Sequence, residues 1–350
     1  MIRTALAIRL GFNEYYGFNA KVTMDTHTFK NIYSDSTYIL NSVFSDISYS
    51  SALSLSSSSK YIFLYVELCA FYRCINGKDG GCIYYHANNG NCFIEKVCAH
   101  SCCAESGAGQ FIYCTISDLM RVEFNVVTIT QCAPITMGDS TKGSAIFLSR
   151  GQAIIRGINL SECTAGYNSG IELKDNKNAS IVFSTLHKNV ALSNQVCYVY
   201  QTVFQYSYEF NMNNTNVINN RPYTYCISFS MLHSKFNSCV FLENYAWLIH
   251  SNTRIFLNSC YIFHAFNSIV PAGTLSTFDL SISTIITETI AIQRYSTYHC
   301  YNELNPYTPG EPCQTMYHNT TECICSAPGE LDLGIVTSVF ASLYHFSLIA

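Results

Sequence analysis

The stretch 236–266, FNSCVFLENYAWLIHSNTRIFLNSCYIFHAF, contains the same pattern twice. Phe236, Cys239, Phe241 and Asn244 hold places that Leu257, Cys260, Ile262 and Ala265 take again 21 residues later. With Asn244 as position 0, apolar or small residues fall at −8, −5 and −3. Residues at −5 and −3 lie two apart and so share one face of a strand. The −8 residue is out of phase with them, which requires a bend or bulge between.

The frame recurs upstream. It fits Val66, Cys69, Phe71, Cys74; Ile94, Val97, Ala99, Cys102; and Phe124, Val127, Ile129, Cys132. Ile155, Ile158, Leu160, Cys163 follow, then Ile181, Ser184, Leu186, Asn189, then Met212, Thr215, Val217, Asn220. Weaker copies sit at 39–47 and 278–286. A second apolar run accompanies most copies, as in GGCIYY at Gly80, GQFIYC at Gly109, GSAIFL at Gly143 and SGIEL at Ser169. The runs are separated by Gly, Asn, Ser and Asp, the turn formers. Each unit is therefore two or three short strands, and none has a helical stretch long enough for a crossover.

Intervals between position-0 residues are 28, 30, 31, 26, 31, 24 and 21. Units of that length and content are coils of a solenoid. The expected fold is all-β: a single-stranded right-handed parallel β-helix, with a short Cys-rich module C-terminal to it. Nine coils stacked at the inter-strand spacing make a rod about 40 Å long. Phe, Val, Leu and Ile at −8 and −3 then fill the interior. Position 0, occupied by Cys74, Cys102, Cys132, Cys163, Asn189, Asn220 and Asn244, becomes an inward corner ladder where a polar side chain can bond its neighbour one coil away. A β-sandwich with regularly spaced strands is the alternative, but it needs no matched residues at fixed offsets.

Phe241-Leu242-Glu243-Asn244 is a full copy of the FxxN motif of the polymorphic outer-membrane protein repeats, and Gly80-Gly81-Cys82-Ile83 and Gly143-Ser144-Ala145-Ile146 are similar to its companion GGA[ILV] motif. Over about residues 30–295 the chain resembles that family. Leu186…Asn189 and Val217…Asn220 keep the Asn without the Phe, and several copies end in Cys. The resemblance implies a right-handed parallel β-helix and a role like that of bacterial and protist surface proteins implicated in adhesion.

Only 12% of residues are charged, about half the usual fraction, and net charge is −4. The 19 basic residues are scattered without a stripe, which argues against nucleic acid as a partner. One Trp against 26 Tyr and 22 Phe is a strand-rich palette. Eighteen cysteines are many for a reducing compartment. Sequons at Asn159, Asn178, Asn213 and Asn319 are glycosylation candidates and favour an exported chain.

The expected organisation is an N-terminal cap at 1–29, the β-helix at 30–295, a Cys-rich stalk at 296–328 and an apolar tail at 329–350. In the stalk, Cys300, Cys313, Cys323 and Cys325 sit in a Pro-rich stretch and are disulfide candidates with three pairings open. Stacked coils bring the corner cysteines to disulfide distance, but parallel Cβ vectors favour reduced thiols there. Arg9 cuts the first apolar run to about five residues, too short for a signal-peptide core. The segment 333–350, LGIVTSVFASLYHFSLIA, reaches the minimum spanning length with His345 as its single titratable group. A membrane anchor, a tail removed on lipid attachment, and a buried terminal element all fit it.

Carbohydrate-active β-helices need carboxylates projecting from neighbouring coils. One acidic pair shares a position here, Glu67 and Glu95 at −7, where a solvated outer face is the plainer expectation. Cys98 and His100 share a strand face with Cys103 nearby, soft ligands at zinc-like spacing but without a paired CxxC. No HExxH, GxSxG, P-loop or dinucleotide motif occurs, so no catalytic residue, cofactor or metal is assigned. The expected role is a non-enzymatic cell-surface rod binding a protein or glycan through its outer face, with 333–350 a candidate for membrane attachment. The rivals are a carbohydrate-active enzyme and a truncated product without preserved function.

Overall fold

The computed structural model describes residues 22–24, 30–31, 36–132, 143–202, 208–230, 232–251 and 255–263. Among these every regular element is a strand, and every strand pairing is parallel. The strands stack as a right-handed β-solenoid. One coil shows the plan: Phe63–Glu67, Ala70–Tyr72, Ile75–Asn76 and Ile83–Asn89 follow one another. The next coil, Cys92–His100, Cys103–Ala104 and Ile112–Ile116, lies on it. The first two strands of each coil build a sixteen-stranded sheet, the last a nine-stranded sheet, and the two-residue pieces between them smaller ladders. Val22–Met24 already pairs with Ser36–Leu40, so the large sheet reaches into the stretch expected as a cap.

The repeat frame is the register of this sheet. Ile94 pairs with Val66 and Phe124, Ala99 with Phe71 and Ile129, Phe236 with Met212 and Leu257, and Phe241 with Val217 and Ile262. The −8 and −3 columns are fully buried from Val66 and Phe71 through Phe236 and Phe241. They face the inward residues of the nine-stranded sheet, such as Ile83, Tyr85, Ile112 and Leu173, in one continuous core.

The bend that the alternation demanded is a left-handed residue at −6. Leu68, Lys96, Val126, Gly157, Phe183, Asn214, Ser238 and Ser259 all have φ between 50° and 62° or close to it, at 48° for Asn214. A second left-handed residue stands at −1: Arg73, Ser101, Gln131, Glu162, Lys188, Asn219 and Glu243. Non-glycine residues are strained there by on the order of 1 kcal/mol or more. Corner amides offset this by continuing the ladder between coils. Leu68 N donates to the Glu95 carbonyl, Arg73 N to His100 and Phe183 N to Asn213.

The residue after each corner points inward and is usually Cys, Ser, Thr or Asn. Its side chain reaches the carbonyl two residues back and another on the preceding coil. Cys69 Sγ donates to the Glu67 and Ile39 carbonyls, Thr215 Oγ1 to Asn213 and Ile181, and Cys239 Sγ to Asn237 and Met212. Cysteine recurs at both −5 and 0, with hydroxyls at −5 and asparagine at 0, because each places a buried donor beside carbonyls of the turn and of the preceding coil. Glycine enters at the turn before the strand Ile83–Asn89, where a side chain does not fit. Gly80 has φ +73°, and a Cβ on Gly81 would stand 2.1 Å from the Gln110 carbonyl oxygen.

Candidate functional site

The outer face of the nine-stranded sheet follows directly from strand alternation. In Ile83–Asn89, Ile83, Tyr85 and Ala87 point inward, leaving Tyr84, His86 and Asn88 outside. Register places Tyr113 and then Phe147 above Tyr84. Their rings stack almost parallel, at 5.5 Å between Tyr84 and Tyr113 and 4.7 Å between Tyr113 and Phe147. The strip continues through Glu172 to Tyr198. Tyr198 stacks on Tyr200 at 4.5 Å, and the Lys174 ammonium lies 5.8 Å from the Tyr200 ring centre. Burial and then the Glu172 carboxylate push the Tyr198 and Tyr200 hydroxyls above their usual pKa.

Beside this strip, where each coil turns back into the large sheet, two adjoining clefts of about 630 and 380 Å³ open. Four successive coils supply the walls, through Asp118, Arg150, Asp175 with Lys177, and Thr202. Arg150 and Asp175 are left-handed corner residues, with φ 65° and 54°. Their amides donate to the Lys174 and Tyr200 carbonyls of the following coils, which fixes their spacing. Asp175 Oδ1 accepts from Thr202 N at 2.6 Å and from Thr202 Oγ1 at 2.9 Å. Asp118 stands 3.9 Å from the Lys177 ammonium. Arg150 has no ion-pair partner among the described residues. Burial and then the charges of Asp118 and Asp175 raise the pKa of Tyr208 at the rim. The clefts thus offer stacked aromatic edges, an unpaired guanidinium, an ammonium and carboxylates drawn from consecutive coils.

None of these residues stood out in the sequence. A signal was present: Arg150, Asp175 and Gln201 each follow the last inward residue of the second run, Leu148, Leu173 and Val199, by two places. The polar residue at that offset marks the corner that lines the cleft.

Glu67 and Glu95 are not on a solvated face. Both are buried, Glu67 completely and Glu95 at 6% exposure. The Tyr38 hydroxyl donates to Glu67, and the Tyr65 hydroxyl to Glu95 at 2.7 Å, so each tyrosine serves the glutamate one coil on. Asn125 adds a donor to Glu95 at 3.3 Å. Buried carboxylates need such donors. The pair is a capped polar column with no part in either cleft.

Cys98 and His100 do lie on one outward strand face, between Ala70 and Thr128 and between Tyr72 and Thr130 respectively. Cys98 packs with Ala70, while His100 stacks on Tyr72 at 5.3 Å and contacts Ser101 Oγ. They form no metal-ligand group with Cys103 among the described residues. The corner residues Cys74, Cys102, Cys132 and Cys163 are buried thiols, and Asn189, Asn220 and Asn244 bond one to the next. Asn178 is exposed and Asn159 half-buried, whereas Asn213 accepts a 2.6 Å bond from Asn237. Asn319, Cys300, Cys313, Cys323, Cys325 and the segment 333–350 lie outside the described residues. Among the described residues no helix is long and apolar enough to cross a membrane.

Comparison with protein-family models, curated proteins and solved structures gives no match for this chain.

Proposed function

We propose that this chain is a non-catalytic binding rod of the cell surface that holds an extended polar polymer, a glycan in particular, along the outer face of its nine-stranded sheet. The observation that carries the reading is the pair of adjoining clefts lined by corner residues of four consecutive coils beside the Tyr84–Tyr113–Phe147 strip. Coils repeat at about 4.8 Å, comparable with the length of one sugar residue, so a linear glycan running along the clefts meets polar side chains from each of four coils. Polar groups placed beside an apolar surface are what a specific binding site requires. The sequons and the resemblance to surface-protein repeats support an exported location.

A second reading, a carbohydrate-active enzyme, draws on the presence of Asp118 and Asp175 in the larger cleft. Against it, both carboxylates are engaged, Asp118 with Lys177 and Asp175 with Thr202. One experiment separates the two. The full chain is applied to an array of neutral and acidic glycans, and every glycan retained is incubated with it and analysed for cleavage. Retention without cleavage, weakened by Arg150→Ala, supports the binding rod. Cleavage lost in Asp175→Asn supports the enzyme, and no retention of any glycan removes both.

A further inference from the structure

The interior holds a group of side chains with a chemistry of its own. Cys74 and Cys102 occupy position 0 on consecutive coils. Cys82, just before the strand Ile83–Asn89, faces them from the other side of the interior. One sulfur from each of the three lies within 4.8 Å of the other two, and all three residues are completely buried. The arrangement is local. Positions equivalent to Cys82 hold Ala52 on the coil below and Phe111 and Ala145 above. Phe111 makes an edge contact with Phe71 at 5.8 Å and closes that side.

We propose that Cys74, Cys82 and Cys102 form a three-coordinate cysteine-sulfur site for a soft, low-coordinate cation, copper(I) in particular. A cation about 2.3 Å from each of three sulfurs requires sulfurs about 4.0 Å apart, and the sulfurs present lie within 4.8 Å of one another. Soft thiolate donors select copper(I), zinc and iron–sulfur centres. Zinc takes four ligands, and no fourth His, Cys, Asp or Glu joins the group among the described residues. A dry apolar interior disfavours net charge, and a monovalent ion is neutralised by the loss of one thiol proton, whereas a divalent ion needs two. Copper stays Cu(I) throughout and no electron is transferred. Each thiol that becomes a thiolate releases one proton to solvent, and one thiolate with two thiols around Cu(I) is neutral. All three sulfurs are shut off from solvent in the folded chain, so the ion enters before the coils close over it. Uptake therefore accompanies closure of the coils and releases protons.

The test is refolding of the full chain, without oxygen, in the presence of one equivalent of Cu(I), followed by gel filtration and copper analysis. One copper per chain is expected, with near-ultraviolet thiolate-to-copper absorption and an X-ray absorption shell of three sulfurs. Cys82→Ser lowers copper retention at least tenfold, whereas Cys226→Ser, at the equivalent place facing Asn244 on a later coil, leaves it unchanged. The proposal is overturned if the folded chain retains no copper, or if Cys82→Ser retains it. A shell containing nitrogen or oxygen, or a disulfide joining any two of the three cysteines, also overturns it. The shell is measured on the unmodified chain, so the test stands even if Cys82→Ser does not fold.

Discussion

Asn189 and Asn220, one coil apart, are joined twice: the backbone N and Nδ2 of Asn189 both donate to Asn220 Oδ1, at 3.0 and 3.1 Å. Asn220 repeats the arrangement on Asn244 at 3.0 and 2.9 Å. Each amide also donates outward along the ladder, Asn220 Nδ2 to the Leu186 carbonyl at 2.9 Å. Below the ladder, Cys163 N donates to Asn189 Oδ1.

Asn220→Ala breaks this ladder in its middle. It leaves Asn189 N and the Leu186 carbonyl buried without those partners, and each such group costs about 1–3 kcal/mol. The expected loss is about 3 kcal/mol, read as a lower urea midpoint with unchanged slope. In a double-mutant cycle with Asn189→Ala, the second substitution should cost clearly less than it does alone. Strict additivity would show that the two amides act separately.

The left-handed corners predict substitutions of opposite sign at equivalent places. Val126 is β-branched, has φ 55° and is 42% exposed, so little packing is lost on truncation. Val126→Gly should stabilise by up to about 1 kcal/mol. Gly157, next in the same column at φ 62°, has only ordinary contacts around an added Cβ. Gly157→Ala should therefore cost about 1 kcal/mol through backbone strain alone. Thermal melts of the two variants check both signs, and a loss of stability in Val126→Gly would contradict the account.

Alkaline pH should unfold the rod. Burial raises Cys197 from about 9 to about 12, and it raises Cys226 and Tyr85 as well. A group whose folded pKa is raised stabilises fully below its unfolded value and loses that contribution as pH rises towards the folded value. Between about pH 9 and 12 each such thiol removes on the order of 1.4 kcal/mol per pH unit. Urea midpoints should be flat between about pH 7 and 8, above the range in which the burial-lowered His100 and His250 titrate, and fall above about 9. Cys197→Val should make the fall shallower, and an identical slope would show that Cys197 does not contribute.

Cleft substitutions should separate binding from stability. The Arg150 side chain has no ion-pair partner among the described residues, while its backbone carbonyl accepts from Asn176 Nδ2. Arg150→Ala should therefore keep the melting temperature and weaken any retained glycan about tenfold, roughly 1.4 kcal/mol. Asp175→Ala removes both bonds from Thr202 and should lower binding and corner stability together. Calorimetry and thermal melts on the same samples distinguish the two patterns.

The period, the strand register and the inward columns were legible in the sequence. In a parallel solenoid, equivalent residues stack by main-chain ladders, so a repeat such as Phe236…Phe241 and Leu257…Ile262 reads directly as the pairing of two strands. The out-of-phase −8 residue announced a bend, and the left-handed residues at −6 supply it. What lies across the interior or around the outside was not legible, because it depends on the coil's cross-section rather than on the ladder. Loops between position-0 residues vary by several residues, and they decide that Cys82 meets Cys74 and Cys102 while Phe111 fills the same place one coil on. Glu67 and Glu95 shared a column in the sequence, yet only the three-dimensional packing shows them buried beneath tyrosine hydroxyls. The cleft, likewise, exists because four consecutive coils bring Asp118, Arg150, Asp175 and Thr202 to one side of the turn between the two large sheets.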